Sequence, residues 1–275
     1  MENRNRWYRK WNLDVPREVV EAAVAANTDD PAKYNRTSLA GPYTPPDSED
    51  LNGKTLVFRT NDKVMVFQMV STNAVRFSEN GSVPKDCFCN VKTLDHEIYL
   101  INQLIPGYAM GRQVTLVADL KNGCATVCDA HFGTENSNID VGRDFLFGIL
   151  DGLYRGGERH QFTDELVGKA MEWTYGPDVI HIKHMYTSNL YYTYSAYSPK
   201  YGAWMATNPA DYVKLRDNVY IFSFVEERQH GLQAFFVIDF DRLHDMGCFF
   251  GVGADHVTSA CVGAEGKLAP CTTIF

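Results

Sequence analysis

Acid–base chemistry near neutral pH needs an imidazole or a carboxylate close to hydroxyl groups that can orient a substrate oxygen. In this 275-residue chain such residues gather between positions 171 and 227. Read as strands, in which alternate side chains face opposite sides, residues 170–175 place Met171, Trp173 and Tyr175 on one face. Residues 179–187 place Ile180, Ile182, His184 and Tyr186 together, and residues 190–196 place Leu190, Tyr192 and Tyr194 together. Each set is the more apolar face of its strand and is therefore expected to point inward. His184 is the candidate proton shuttle, Tyr175 and Tyr186 the groups that would hold a reacting oxygen, and Glu226 a base or a carboxylate that orients the imidazole. Trp173, Tyr192, Tyr194 and Phe222 would form the surroundings of a ring- or isoprenoid-like ligand. Arg216, beside a hairpin turn, is the candidate for an anionic group. The strand before Glu226 is apolar on both faces, so parity does not place that carboxylate.

Other chemistries have less support. His181 and His184 fall on opposite faces of one strand and cannot share a metal ion, and neither a metal nor a cofactor is expected. Ser195 and Ser198 lack a Gly-x-Ser-x-Gly turn. The seven cysteines form no zinc-type pairs of CxxC motifs, and their odd number fits reduced thiols better than a secreted disulfide framework. A net charge of -8 disfavours nucleic acid and anionic membrane surfaces as partners. No apolar run approaches the roughly 20 residues that span a bilayer, and residues 1–10 lack the apolar stretch of a signal peptide. The expectation is a cytoplasmic chain whose partner is a small hydrophobic or aromatic molecule, with a homodimer as an admissible assembly.

The elements that must position these residues are mostly strands. Residues 16–27 (PREVVEAAVAAN) read as a helix, and residues 28–50, rich in Pro, Asp, Gly and Ser, as a surface loop. Residues 51–135 form a first β repeat, residues 136–165 a connector with a helix at 140–154 (DVGRDFLFGILDGLY), and residues 166–275 a second β repeat with a tail or one more strand. The repeats are copies. LNGKTLVFRTNDKVMVFQMVSTNAVRF from Leu51 aligns on LVGKAMEWTYGPDVIHIKHMYTSNLYY from Leu166, and Gly111, Gln113, Val117 and Asp119 match Gly231, Gln233, Val237 and Asp239. About seven short strands per copy, joined by tight turns, predict a mainly β fold of two tandem antiparallel barrels, with short helices at the N-terminus and between the barrels. One large barrel drawn from both copies competes with that arrangement. The ungapped alignment sets Thr60, Met69, Ser71 and Phe77 against Tyr175, His184, Tyr186 and Tyr192, which makes the second repeat the expected working half.

The segments LVGKAMEWTYGPDVIHIKHMY, DYVKLRDNVYIFSFVEER and FDRLHDMGCFFGVG resemble the C-terminal half of the molybdenum cofactor biosynthesis protein F (MoaF) family, and LNGKTLVFRT with the strands after it resembles the N-terminal half. The resemblance covers residues 51–253 and implies a calycin-like, lipocalin-related barrel in each half. Molybdenum cofactor chemistry would call for phosphate- and pterin-binding features, and the chain has neither a Gly-rich phosphate loop nor a persulfide or iron–sulfur cysteine motif. Calycin-like enzymes such as phenolic acid decarboxylases and allene oxide cyclases act by positioning plus a few polar groups. By that analogy the expected activity is a cofactor-independent cyclase, isomerase or lyase. The alternatives are a carrier that does not change its ligand and a scaffold for a partner protein.

Overall fold

The computed structural model describes residues 16–26, 28–107, 111–133, 140–200, 202–252 and 257–269. The first repeat is a closed antiparallel meander of eight strands: β1 (Thr55–Arg59), β2 (Val64–Ser71), β3 (Ala74–Glu79), β4 (Lys85–Thr93), β5 (Ile98–Leu104), β6 (Arg112–Asp119), β7 (Cys124–Phe132) and β8 (Val141–Leu150). A short β9 (Gln161–Phe162) follows. The second repeat comprises β10 (Ala170–Gly176), β11 (Ile180–Met185), β12 (Tyr191–Ser198), β13 (Gly202–Arg216), β14 (Val219–Val225), β15 (Leu232–Asp239), β16 (His244–Val252) and β17 (Val257–Leu268). Pairing of β10 with β17 and of β12 with β13 closes it into a second eight-stranded barrel, with β9 added beside β13. Closure leaves neither barrel an open edge. Two barrels, not one large one, are formed.

The structure decides two points. Residues 140–154 do not form a connector helix: β8 pairs with β7 on one side and β1 on the other, so the first barrel extends to Leu150. The pattern misleads because both faces of β8 are covered. Leu146 and Leu150 pack inside the barrel, while Phe145 and Phe147 pack outward against Phe162 and Phe235. A strand covered on both faces has no polar alternation to distinguish it from a buried helix. The Gly- and Ala-rich C-terminal stretch is likewise a strand, β17, the eighth of the second barrel.

The outer faces of the barrels meet across an apolar layer that includes Ile98, Leu100, Val117, Val213, Ile221, Val237 and Met246. Within it Arg143 donates to Asp211 at 2.8 Å with both side chains at most 1% exposed. Matched residues of the repeats meet reciprocally here. Gln113 lies 3.7 Å from the Cys248 sulfur, and Gln233 lies 3.3 Å from the Cys128 sulfur.

Helix α1 (Arg17–Ala25) buries Val20 and Ala23 against Val252, as the apolar spacing of its sequence requires. After a one-turn helix α2 (Pro31–Tyr34), the chain forms a strap across both barrels. Thr258 Oγ1 donates to the Arg36 carbonyl at 2.7 Å, His244 Nε2 lies 2.8 Å from the Tyr43 carbonyl, and Lys92 pairs with Asp47 at 2.9 Å. Gly41 sits where a Cβ would lie 1.8 Å from the Tyr175 carbonyl, so only glycine allows the strap this close.

Candidate ligand cavity

The interior of the second barrel holds a cavity of about 620 Å³. Its deep walls come from β10 to β12, which supply Tyr175, His184, Tyr192 and Tyr194, and from Phe224, Phe236 and Phe249 opposite. Trp204, on the long β13, and Leu39, on the strap, complete the enclosure, while Arg228, Gln229 and Leu232 come from the β14–β15 turn and the start of β15. Strand parity is what brings these side chains together. Met171, Trp173, Tyr175, Ile180, His184, Tyr186, Tyr192 and Tyr194 are all buried in the second barrel, whereas His181 is exposed and bonded to Thr174. Leu190, read as inward, instead precedes β12 and is 37% exposed.

Glu226, which parity left unplaced, lies one residue past β14 and lines the cavity. Tyr194 Oη donates to its Oε2 at 3.1 Å, Asn208 Nδ2 donates to the same oxygen at 3.2 Å, and the Arg228 N–H donates to Oε1 at 2.9 Å. Trp204 Nε1 donates in turn to Tyr194 Oη at 3.1 Å. Burial and the neighbouring Glu226 carboxylate push Tyr194 well above the usual phenol range, so it remains a donor.

His184 sits edge-on among Tyr186, Tyr192 and Phe222, with ring centroids 6.2, 5.1 and 5.2 Å away. This burial pulls its pKa down to about 3. The imidazole is thus neutral at neutral pH and suited to hydrogen bonding more than to proton shuttling. Its Nδ1, the Tyr186 hydroxyl and Trp173 Nε1 are buried without hydrogen-bond partners.

Of the sequence-derived candidates, Tyr175, His184, Tyr192, Tyr194 and Glu226 line the cavity. Trp173, Tyr186 and Phe222 form the layer behind it: Phe222 stacks on Tyr212 and Phe236, and the Trp173 ring occupies the space that a Cβ on Gly266 would need. Arg216 is elsewhere. It donates to both oxygens of Asp119, at 2.9 and 3.0 Å, and to Glu97 at 2.6 Å, clamping the second barrel to the first. Its place at the turn after β13, on the outer side of the barrel, makes it a structural cation and not a ligand contact. Sequence reasoning missed Trp204, Asn208 and Leu39. Asn208 and Trp204 face inward by the parity of β13, a strand that runs 15 residues through a mixed polar and apolar sequence.

The register also corrects the repeat alignment. Gly53 N donates to the Met69 carbonyl and Gly168 N to the Tyr186 carbonyl, and Phe67 pairs with Leu56 as His184 pairs with Met171. Tyr186 is therefore the counterpart of Met69, and His184 of Phe67. Six residues lie between the paired Thr174 and His181 against four between Arg59 and Val64, and one of the two extra residues is the bulge between Thr174 and Gly176.

Residues 41–134 match the MoaF N-terminal domain and residues 160–271 the MoaF C-terminal domain. The chain belongs to the MoaF family. The N-terminal match covers β1 to β7 and the C-terminal match β9 to β17, with β8 between them, and the closed eight-stranded form of each barrel is consistent with a calycin-like fold. A search of the curated proteins finds no match to this MoaF-family chain. Among its described residues no helix is long and apolar enough to cross a membrane.

Proposed function

We propose that the second barrel takes up a small apolar or aromatic organic molecule and acts on it as a cofactor-independent acid/base enzyme of the cyclase, isomerase or lyase type. The observation that carries this reading is one carboxylate, Glu226, held by three donors in an otherwise aromatic cavity. A buried, oriented carboxylate can take a proton from a bound ligand, and the aromatic walls hold the ligand against it. In this scheme Glu226 is the base, and the neutral imidazole of His184 and the hydroxyl of Tyr175 orient the ligand. Tyr192, Tyr194 and Trp204 shape the site. The described cysteines are buried free thiols, which supports a cytoplasmic setting.

The test is a thermal-shift screen of aromatic and terpenoid compounds against the wild type and against Leu232→Trp, which fills the cavity mouth. Compounds that raise the wild-type Tm and leave the variant unmoved support the cavity as the site, whereas equal shifts in both overturn it. For such compounds, conversion followed by NMR should be lost in Glu226→Gln with binding retained. Ligands recovered unchanged from the wild type would favour a carrier, a reading that the three hydrogen bonds Glu226 makes within the protein also support.

A further inference from the structure

The floor of the second barrel, behind His184, carries polar groups that the scheme above does not use. Asp245, on β16, faces the interior: it stands opposite Ile238 and Ala264, both core residues of this barrel, and is 2% exposed. Its Oδ1 accepts the Ala264 N–H at 2.8 Å. Burial raises its pKa well above the usual carboxyl range, which favours the protonated form. Its charge would act on Tyr175 and Tyr186, the first a wall of the cavity and the second directly behind it. Trp173 Nε1 belongs to the same cluster, near enough to Tyr186 to oppose the burial-driven rise in that phenol's pKa, yet the two groups make no hydrogen bond.

Buried polar groups are seldom left unsatisfied in a native protein, so Trp173 Nε1, the Tyr186 hydroxyl and His184 Nδ1, buried in one barrel without partners, call for a missing one. Their chemistry says which. The indole N–H is a donor only, a protonated carboxyl has a hydrogen to give, and a phenol buried in this way also donates. His184 Nδ1, the third unpartnered atom, borders the cavity itself. A donor-rich, water-poor floor suits an oxygen that accepts hydrogen bonds and bears partial negative charge.

We propose that this floor is a subsite for the carbonyl oxygen of the ligand, formed by Trp173, Tyr186 and Asp245, with Tyr175 and His184 as its gate to the cavity. The inference rests on the cavity reading above and narrows its substrate class to ketones, aldehydes or lactones with an apolar body. The carbonyl enters deepest, and the remainder of the molecule lies along the aromatic walls toward Glu226.

A matched pair of probes separates the two ideas. 2-Acetylnaphthalene and 2-ethylnaphthalene have nearly the same shape and differ by one carbonyl oxygen. Calorimetric titration of the full chain should show the ketone binding about tenfold more tightly than the hydrocarbon, the worth of one to two hydrogen bonds. Tyr186→Phe and Asp245→Asn should each reduce that preference without moving the hydrocarbon's Kd. Asn preserves the acceptor for the Ala264 N–H, and Phe removes a hydroxyl that has no partner, so both variants should keep the wild-type Tm within a few degrees at acidic pH. The carbonyl stretch of the bound ketone should also lie at lower frequency in the wild type than in the variants. Equal binding of the two probes to the wild type, or an unchanged preference in both variants, overturns the floor subsite and leaves the cavity standing. Failure of both probes to bind overturns the cavity reading and the subsite with it.

Discussion

The two barrels share a strand plan and differ in what fills it. Register sets Phe58, Phe67, Met69, Val75, Phe77, Cys87, Ile105 and Ala125 of the first barrel against Trp173, His184, Tyr186, Tyr192, Tyr194, Asn208, Glu226 and Asp245 of the second. At each of these positions the first barrel is apolar and the second offers a polar atom. The mouths differ in the opposite sense. In the first barrel Arg112 makes two hydrogen bonds to Glu79 and two to Asp129, closing that end with an ion cluster. The corresponding positions of the second barrel hold Leu232, Ala196 and Phe249, and there the cavity opens. One copy keeps its charge at the rim and an apolar core; the other keeps an apolar rim and polar groups within. The comparison teaches that one strand plan can carry its polar groups either at the mouth or in the interior.

Exchanging residues between the copies should break this contrast in a graded way. The largest effect is expected from Arg112→Leu, which leaves two carboxylates facing each other at a mostly buried rim: about 3 kcal/mol of stability lost in urea unfolding. Adding Glu79→Ala and Asp129→Phe, which completes the second barrel's set, should recover most of it. The reverse exchange, Leu232→Arg with Phe249→Asp, should close the second mouth. Binding of 2-ethylnaphthalene would then weaken by tens-fold, a loss of about 2–3 kcal/mol. A stable variant with intact binding would show that the ligand enters elsewhere.

The next effect in size concerns acid stability. The folded state holds His184 neutral down to about pH 3. In the unfolded chain the same imidazole takes a proton near its ordinary pKa, so between those values the unfolded state binds more protons and stability falls as the pH falls. His184→Phe, the first barrel's residue, should remove about 2 kcal/mol of the stability lost between pH 7 and pH 5. Parallel unfolding curves for wild type and variant at both pH values would contradict this. The smallest effect is expected from Tyr194→Phe, which removes the donor to Glu226 and the acceptor of the Trp204 N–H, at about 1 kcal/mol by thermal unfolding.

Much of the fold could be read from period and punctuation. The repeat, the opening helix and the inward faces of β10, β11 and β12 follow from alternation, because each of those strands has one solvated and one buried side. Legibility stopped where both sides are buried. β8 lies between its own barrel and the neighbouring one and so resembles a helix; the strand leading to Glu226 is apolar throughout, and its terminal carboxylate takes its position from the barrel, not from parity. The site was legible as a set of inward residues but not as a set of partners. The Tyr194–Glu226–Asn208 cluster joins residues 14 to 32 positions apart, and Arg216, a plausible anion contact by composition, has its carboxylates on the other barrel. The two-residue slip between the copies was hidden by a bulge that conserves spacing on one side of the hairpin only.

The reciprocal contacts of Gln113 with Cys248 and Gln233 with Cys128 have the form of a twofold contact between identical subunits, each giving the same two residues to the other. Here both subunits lie on one polypeptide. A dimer of separate barrels would come apart on dilution and would oblige every change in its sequence to appear in both copies. Tethering replaces the second-order association by a first-order one with a fixed effective concentration, and it frees the copies from identity. One half can then keep an apolar interior and cover its neighbour's outer face while the other half takes polar groups inside.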